Sequence, residues 1–162
     1  MRIFSKPEVF MAIQDAKKFN EDEGRAILTR FGELYPSLQQ VMFAGFPEAI
    51  AGQSQDMAHL FMDLCFEIIC VYEKLLGEAP KNTTPPEELL NLLQHIMGEI
   101  TAAKKSGIEN TQQAFLEYLN LATDDHANTY QANKDSVKIT KNFLYTMTRL
   151  FDELYETDSV RH

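Results

Sequence analysis

Gly24-Arg-Ala-Ile-Leu-Thr-Arg-Phe-Gly-Glu-Leu-Tyr-Pro-Ser-Leu-Gln-Gln-Val-Met-Phe-Ala-Gly-Phe46 is the stretch that decides the fold. It reads as one amphipathic helix stopped at Pro36, a short helix after it, and two phenylalanines, Phe43 and Phe46, three apart in a loop. The stop is steric, because a proline disfavours helical geometry in the residue before it. Upstream, Asn20 followed by Glu21, Asp22 and Glu23 opens this helix, since a side-chain acceptor and nearby acids suit the positive end of the helix dipole. Further upstream, Ser5 and Glu8 form a capping box that predicts a first helix over about 6–18. Downstream, the short helix runs from Ser37 to about Met42, and Gly45, Pro47 and Gly52 punctuate an irregular segment. Ser54 then caps a long helix that reaches Leu76 and stops at Gly77.

The second half repeats this grammar. Glu78 to Thr84 is a loop, and Thr84, Pro85, Pro86 and Glu87 start a helix with Leu89, Leu93, Ile96, Ile100 and Ala103 on one face. Lys104, Lys105, Ser106 and Gly107 end it. Asn110 opens the next helix, with Phe115, Tyr118, Leu119 and Ala122 as its stripe. Thr123 to Lys134 is polar and reads as a loop or a fraying extension. The last helix, about 135–156, aligns Phe143, Leu144, Met147, Leu150, Phe151 and Leu154. No stretch alternates with a period of two for long enough to make a sheet, so the fold class is all-α. With no internal repeat and no dividing linker, residues 1–162 form a single domain. Leu64, Ile68, Phe115, Leu144, Met147 and Phe151 sit centrally on their stripes and are expected in the core.

Composition narrows the partners. A net charge of −9 opposes binding to phosphate backbones, so nucleic acid is not an expected partner. Cys65 and Cys70 lie five apart in one apolar helical run, where their side chains cannot meet, and read as small core residues suited to a reducing cytoplasm. The N-terminus has no apolar stretch of the signal-peptide kind. Leu60 to Leu76 carries Asp63, Glu67, Glu73 and Lys74, too polar for a membrane span.

Seven or eight helices of these lengths, in this order, resemble a globin. The correspondence places its helices at 6–18, 21–35, 37–42, 54–76, 86–105, 109–123 and 135–156. Gly24 resembles the small residue at a close helix crossing, Pro36 the start of the third helix, and Phe43 with Phe46 the aromatic pair that wedges haem. Gly107-Ile108 resembles a later corner, and Phe143 to Tyr155 the last helix. The resemblance implies a pocket lined by Phe43, Phe46, Leu60 and Leu64. The position of the family's proximal histidine falls on Ala103, so a haem ligand here must be His95 or, in another register, His59. His95 is flanked at helical spacing by Glu88, Asn91, Gly98, Glu99 and Ala102, a polar face that predicts an exposed imidazole.

Other candidates are less developed. Asp56, His59, Asp63, Glu67 and Lys74 form a narrow polar stripe on an otherwise apolar helix, most simply a solvated edge. The alternative is a metal site, but no Glu-x-x-His pair on another helix completes it: Leu92 precedes His95 at that spacing, and Thr123 precedes His126. Asp124-Asp125-His126 places acids beside an imidazole without the geometry of a base and its orienter. Val41 to Ala51 reads as a corner folded over the core, or else as a partner or ligand surface. The expected function is therefore a non-catalytic globin-like sensory or protein-interaction domain with an apolar pocket, binding a protein partner or itself as a dimer, the pocket open to a small apolar ligand or haem. Two alternatives stand beside it: a haem-binding globin that binds or senses O2 or NO through His95, and an acidic bundle that neutralises a basic protein.

Overall fold

The computed structural model describes residues 2–81, 85–102 and 112–160, with side chains described as far as 156. The chain is an all-α bundle, and every regular element among the described residues is helical: α1 (Lys6–Lys17), α2 (Glu21–Leu34), α3 (Pro36–Gln40), a π-helical turn (Val41–Gly45), α4 (Phe46–Ala51), α5 (Gln55–Leu76), α6 (Pro86–Thr101), α7 (Gln113–Tyr130) and α8 (Lys134–Val160). Capping boxes form at Ser5 with Glu8 and at Asn20 with Glu23, as their spacing predicts. Ser54 Oγ accepts from the Met57 amide, and Gly77, at φ +92°, takes the left-handed region that favours glycine and ends α5. No helix among the described residues is long and apolar enough to cross a membrane.

α5 is the central strut. Met57, Phe61, Leu64, Cys65, Ile68, Val71 and Tyr72 are buried along it, and it packs against α1, α4, α7 and α8, while α6 packs against α8. All six residues expected in the core are buried. Both cysteines are free and buried. Aromatic rings join the layers: Phe46 stacks on Phe143 at 3.9 Å between centroids, and Phe31 on Phe151 at 5.7 Å. Truncating one such ring to alanine typically costs about 3–5 kcal/mol.

Three local readings are corrected. First, Phe43 and Phe46 are not in a loop, nor is 45–52 irregular, because Pro36 to Ala51 is one unbroken helical run with a π turn inside it. The Phe46 amide reaches back five residues to the Val41 carbonyl. Pro47 supplies the reason: it has no amide for the Phe43 carbonyl, and its ring crowds that carbonyl, so the chain widens one turn rather than stopping. Second, α7 runs through the polar stretch to Tyr130 instead of ending near 123. Thr123 and Thr129 hydroxyls donate to carbonyls four residues back, at 2.7 and 3.0 Å, and Thr123 and Ala127 continue the buried stripe of Leu116 and Leu119. Gln131, at φ 53°, then ends the helix in the left-handed region, and α8 begins three residues later. Third, Gly24 does not sit at a close helix crossing. A Cβ built there would meet only the Phe66 ring edge, at an ordinary 3.5 Å. Ala103, the Gly107-Ile108 corner and Asn110 lie outside the described residues.

Candidate functional site: apolar grooves beside the first helix

The residues singled out for a haem pocket do not converge. Leu60 and Leu64 are buried in the core, and Phe46 lies flat against Phe143 with Phe61 edge-on at 6.1 Å, so protein fills the space that the aromatic pair would wedge open. The His95 side chain is 71% exposed on the outer face of α6, with Nε2 3.0 Å from Glu99 Oε1. Glu99 also faces Arg149 at 3.6 Å. An axial ligand needs an imidazole nitrogen directed into an apolar cavity, and these residues do not fit that requirement. His59 is exposed on α5. No group of three or more histidine, cysteine or acidic side chains among the described residues is arranged to hold a metal ion.

The acid and histidine motifs resolve into structural contacts. His126 Nε2 lies 3.1 Å from the Asp56 carbonyl, its ring leans on Tyr130, and Asp124 takes an ion pair from Lys141 at 2.8 Å. Burial pushes the Cys65 thiol well above its usual range and Cys70 up to about 12, the latter helped by Glu73 and Glu67. That direction suits packing and opposes nucleophilic use.

Phe43 alone of the expected pocket residues reaches an open site. The π turn separates it from Phe46: Phe46 turns into the core while Phe43 lines a groove of about 810 Å3 between the end of α1, α2 and α5. The groove's apolar wall is Phe19, Leu28, Phe43, Met62 and Phe66, with Gly24 leaving room above the Phe66 ring. Its charged groups are Lys17, Glu21, Arg25, Asp63 and Glu67. A second, smaller groove of about 400 Å3 lies between α1 and α7, lined by Val9, Phe10, Ile13, Tyr118 and Leu121 among others. Lys17 borders both grooves, and the Tyr118 hydroxyl donates to Glu67 at 2.9 Å between them. In the walls of these grooves Phe10 is 63% exposed and Leu121 57%, with Phe19 exposed as well. Such clustering of large apolar side chains at a surface marks an interaction site more often than a solvated face.

The groove's electrostatics are incomplete. Burial raises the Glu67 carboxyl above its usual value, and the Tyr118 hydrogen bond and Lys17 only partly reverse this, while Asp63 adds to it. Burial also raises Asp63, against smaller opposing effects from His126 and His59. The Tyr118 phenol is raised by burial and then by the Glu67 charge. These acids would gain from a further cation at the groove mouth. The sequence contained a trace of this surface: Phe10, which lines the smaller groove, falls outside the buried stripe of Val9, Ala12, Ile13 and Ala16. The groove residues on α5, Met62 and Phe66, carried no such signal, since that helix is apolar around most of its circumference.

The chain matches no protein-family model, no curated protein and no solved structure.

Proposed function

We propose that this chain is a non-catalytic protein-interaction domain that receives an amphipathic, basic-edged helix of a partner protein in the grooves beside α1. The observation that supports it most is the seam itself: two apolar grooves meet at Lys17, with exposed Phe10, Phe19 and Leu121 in their walls. Helix-in-groove recognition uses apolar anchors at helical spacing, and an apolar trough with charged edges is its receptor. The partner's edge is basic because Asp63 and Glu67 lie in the groove wall with their charge incompletely balanced, within a molecule of net charge −9. Arg25 is taken up by Glu21 at 3.3 Å and Lys17 lies near Glu67, so neither sets the sign of the site. The helix order resembles a globin without a fitting haem ligand, which agrees with a sensory or adaptor role in which the fold is a scaffold for a surface.

The test is a fluorescence anisotropy titration with a labelled leucine-lysine amphipathic peptide of about 18 residues, which spans roughly 27 Å as a helix. Saturable one-to-one binding with a dissociation constant on the order of 10 μM is expected, weakening as salt rises. Gly24→Leu plugs the groove while replacing a poor helix former, so it should weaken binding about tenfold and leave stability unchanged or higher by about 0.5–1 kcal/mol. Equal binding by the variant, or no preference over a peptide of the same composition with scrambled order, would contradict the proposal.

A further inference from the structure

A third cleft, of about 460 Å3, lies on another part of the surface between the second half of α7 and the first half of α8. Lys134, Lys138 and Lys141 all line it, spaced four and three residues apart so that they share one face of α8. Asp124 opposes them from α7 but is already engaged by Lys141 at 2.8 Å, which leaves Lys134 and Lys138 as positive charge at the mouth. Asn128, Asn142 and Tyr145 supply amide and phenol groups, and Ala127, Ala132 and Val137 give an apolar wall. The turn between α7 and α8 is fixed, because Gln131 caps α7 in the left-handed region, the Ala132 amide donates to Ala127 at 2.9 Å, and Asn133 Oδ1 accepts from the Ser136 amide at 2.7 Å.

The placement of charge is unusual for stability alone. Cations near a helix N-terminus oppose the helix dipole, yet Lys134 and Lys138 occupy the first two turns of α8, with Asp135 the one acid in its first turn. An anion held between Lys134 and Lys138 would offset that penalty. The molecule's negative net charge works against an anion from afar, but it is screened beyond about 8 Å at physiological salt. The volume falls within the roughly 300–1,000 Å3 of small-molecule sites. We infer that this cleft binds a phosphorylated small molecule of up to nucleotide size, its phosphates on Lys134 and Lys138 and its body against Val137 and Tyr145.

Isothermal titration calorimetry of the full chain with pyrophosphate, ATP and adenosine tests it, alongside a Lys134→Gln/Lys138→Gln variant whose fold is checked by circular dichroism. Pyrophosphate and ATP should bind one-to-one with dissociation constants below about 1 mM, adenosine should not bind measurably, and the double variant should weaken both phosphates at least about tenfold. No saturable binding of either phosphate, or a smaller loss in the double variant, would overturn the assignment. Neither result bears on the grooves beside α1, because the two sites share no residue.

Discussion

Asp152 shows how one residue sets a property of the whole. Its carboxylate is 6% exposed on α8, where Oδ1 accepts from the Tyr72 hydroxyl at 2.7 Å and from Gln112 Nε2 at 3.2 Å. Gln112 in turn donates to the Arg2 carbonyl at 2.8 Å and accepts from the Phe4 amide at 2.8 Å, so this cluster ties the N-terminal segment to α5, α7 and α8. Oδ2 has no hydrogen-bond partner among the described residues. Burial therefore dominates and raises the carboxyl from 3.8 to about 6, against the opposing effects of Tyr72, Gln112 and Arg149, with Glu153 adding to the rise. A folded pKa above the unfolded one means that the folded state binds the extra proton between about pH 4 and 6. The cost of the charge is then absent below that window and fully present above it. Asp152→Asn should accordingly be more stable than the native chain at pH 7, by about 1–3 kcal/mol, with the gap closing as pH falls to 4. Urea unfolding of both proteins across this range measures it, and a gap independent of pH would contradict the account.

At the scale of the element, α7 carries the clearest lesson. Its polar second half reads as a loop or a fraying extension because the sequence signal counts apolar side chains, whereas the threonines there bond to carbonyls four residues back and remain helical. Ala127→Asp should cost about 2–4 kcal/mol, since it places an unpaired charge on the buried face, while Asn128→Asp, on the exposed face, should stay within about 0.5 kcal/mol. Thermal unfolding of the two variants decides it, and near-equal effects would mean that α7 does not continue past Thr123. The π turn was hidden for a related reason. Pro47 signals a break, but a widened turn satisfies the same steric demand without ending the helix. By contrast, the termini of α1, α2 and α5 were legible to within a residue or so, because Ser5, Asn20, Ser54 and Gly77 act through local hydrogen bonds and backbone conformation that need no tertiary contact.

Across the whole molecule, the core was readable and the surface was not. Periodicity placed Leu64, Ile68, Phe115, Leu144, Met147 and Phe151 inside, since a stripe on each helix has one way to be buried. The same arithmetic put His95 on an outer face, where it lies. The grooves escaped because they arise between helices: Phe43, Met62 and Phe66 belong to three turns on two segments and line one groove only in the folded bundle, where Gly24 of α2 leaves the Phe66 ring uncovered. Of the expected pocket residues, Phe46, Leu60 and Leu64 went to the core and Phe43 to the groove, a division set by the π turn and invisible to residue spacing. The account's central claim is that the seam around Lys17 is the surface this bundle uses. The most direct measurement is an NMR titration of isotopically labelled protein with the leucine-lysine peptide. Shifts should concentrate at Lys17, Phe19, Gly24, Phe43, Met62 and Phe66, extending to Phe10 and Leu121. Shifts that instead fall on the lysine cleft between α7 and α8, or scatter evenly over the acidic surface, would contradict it.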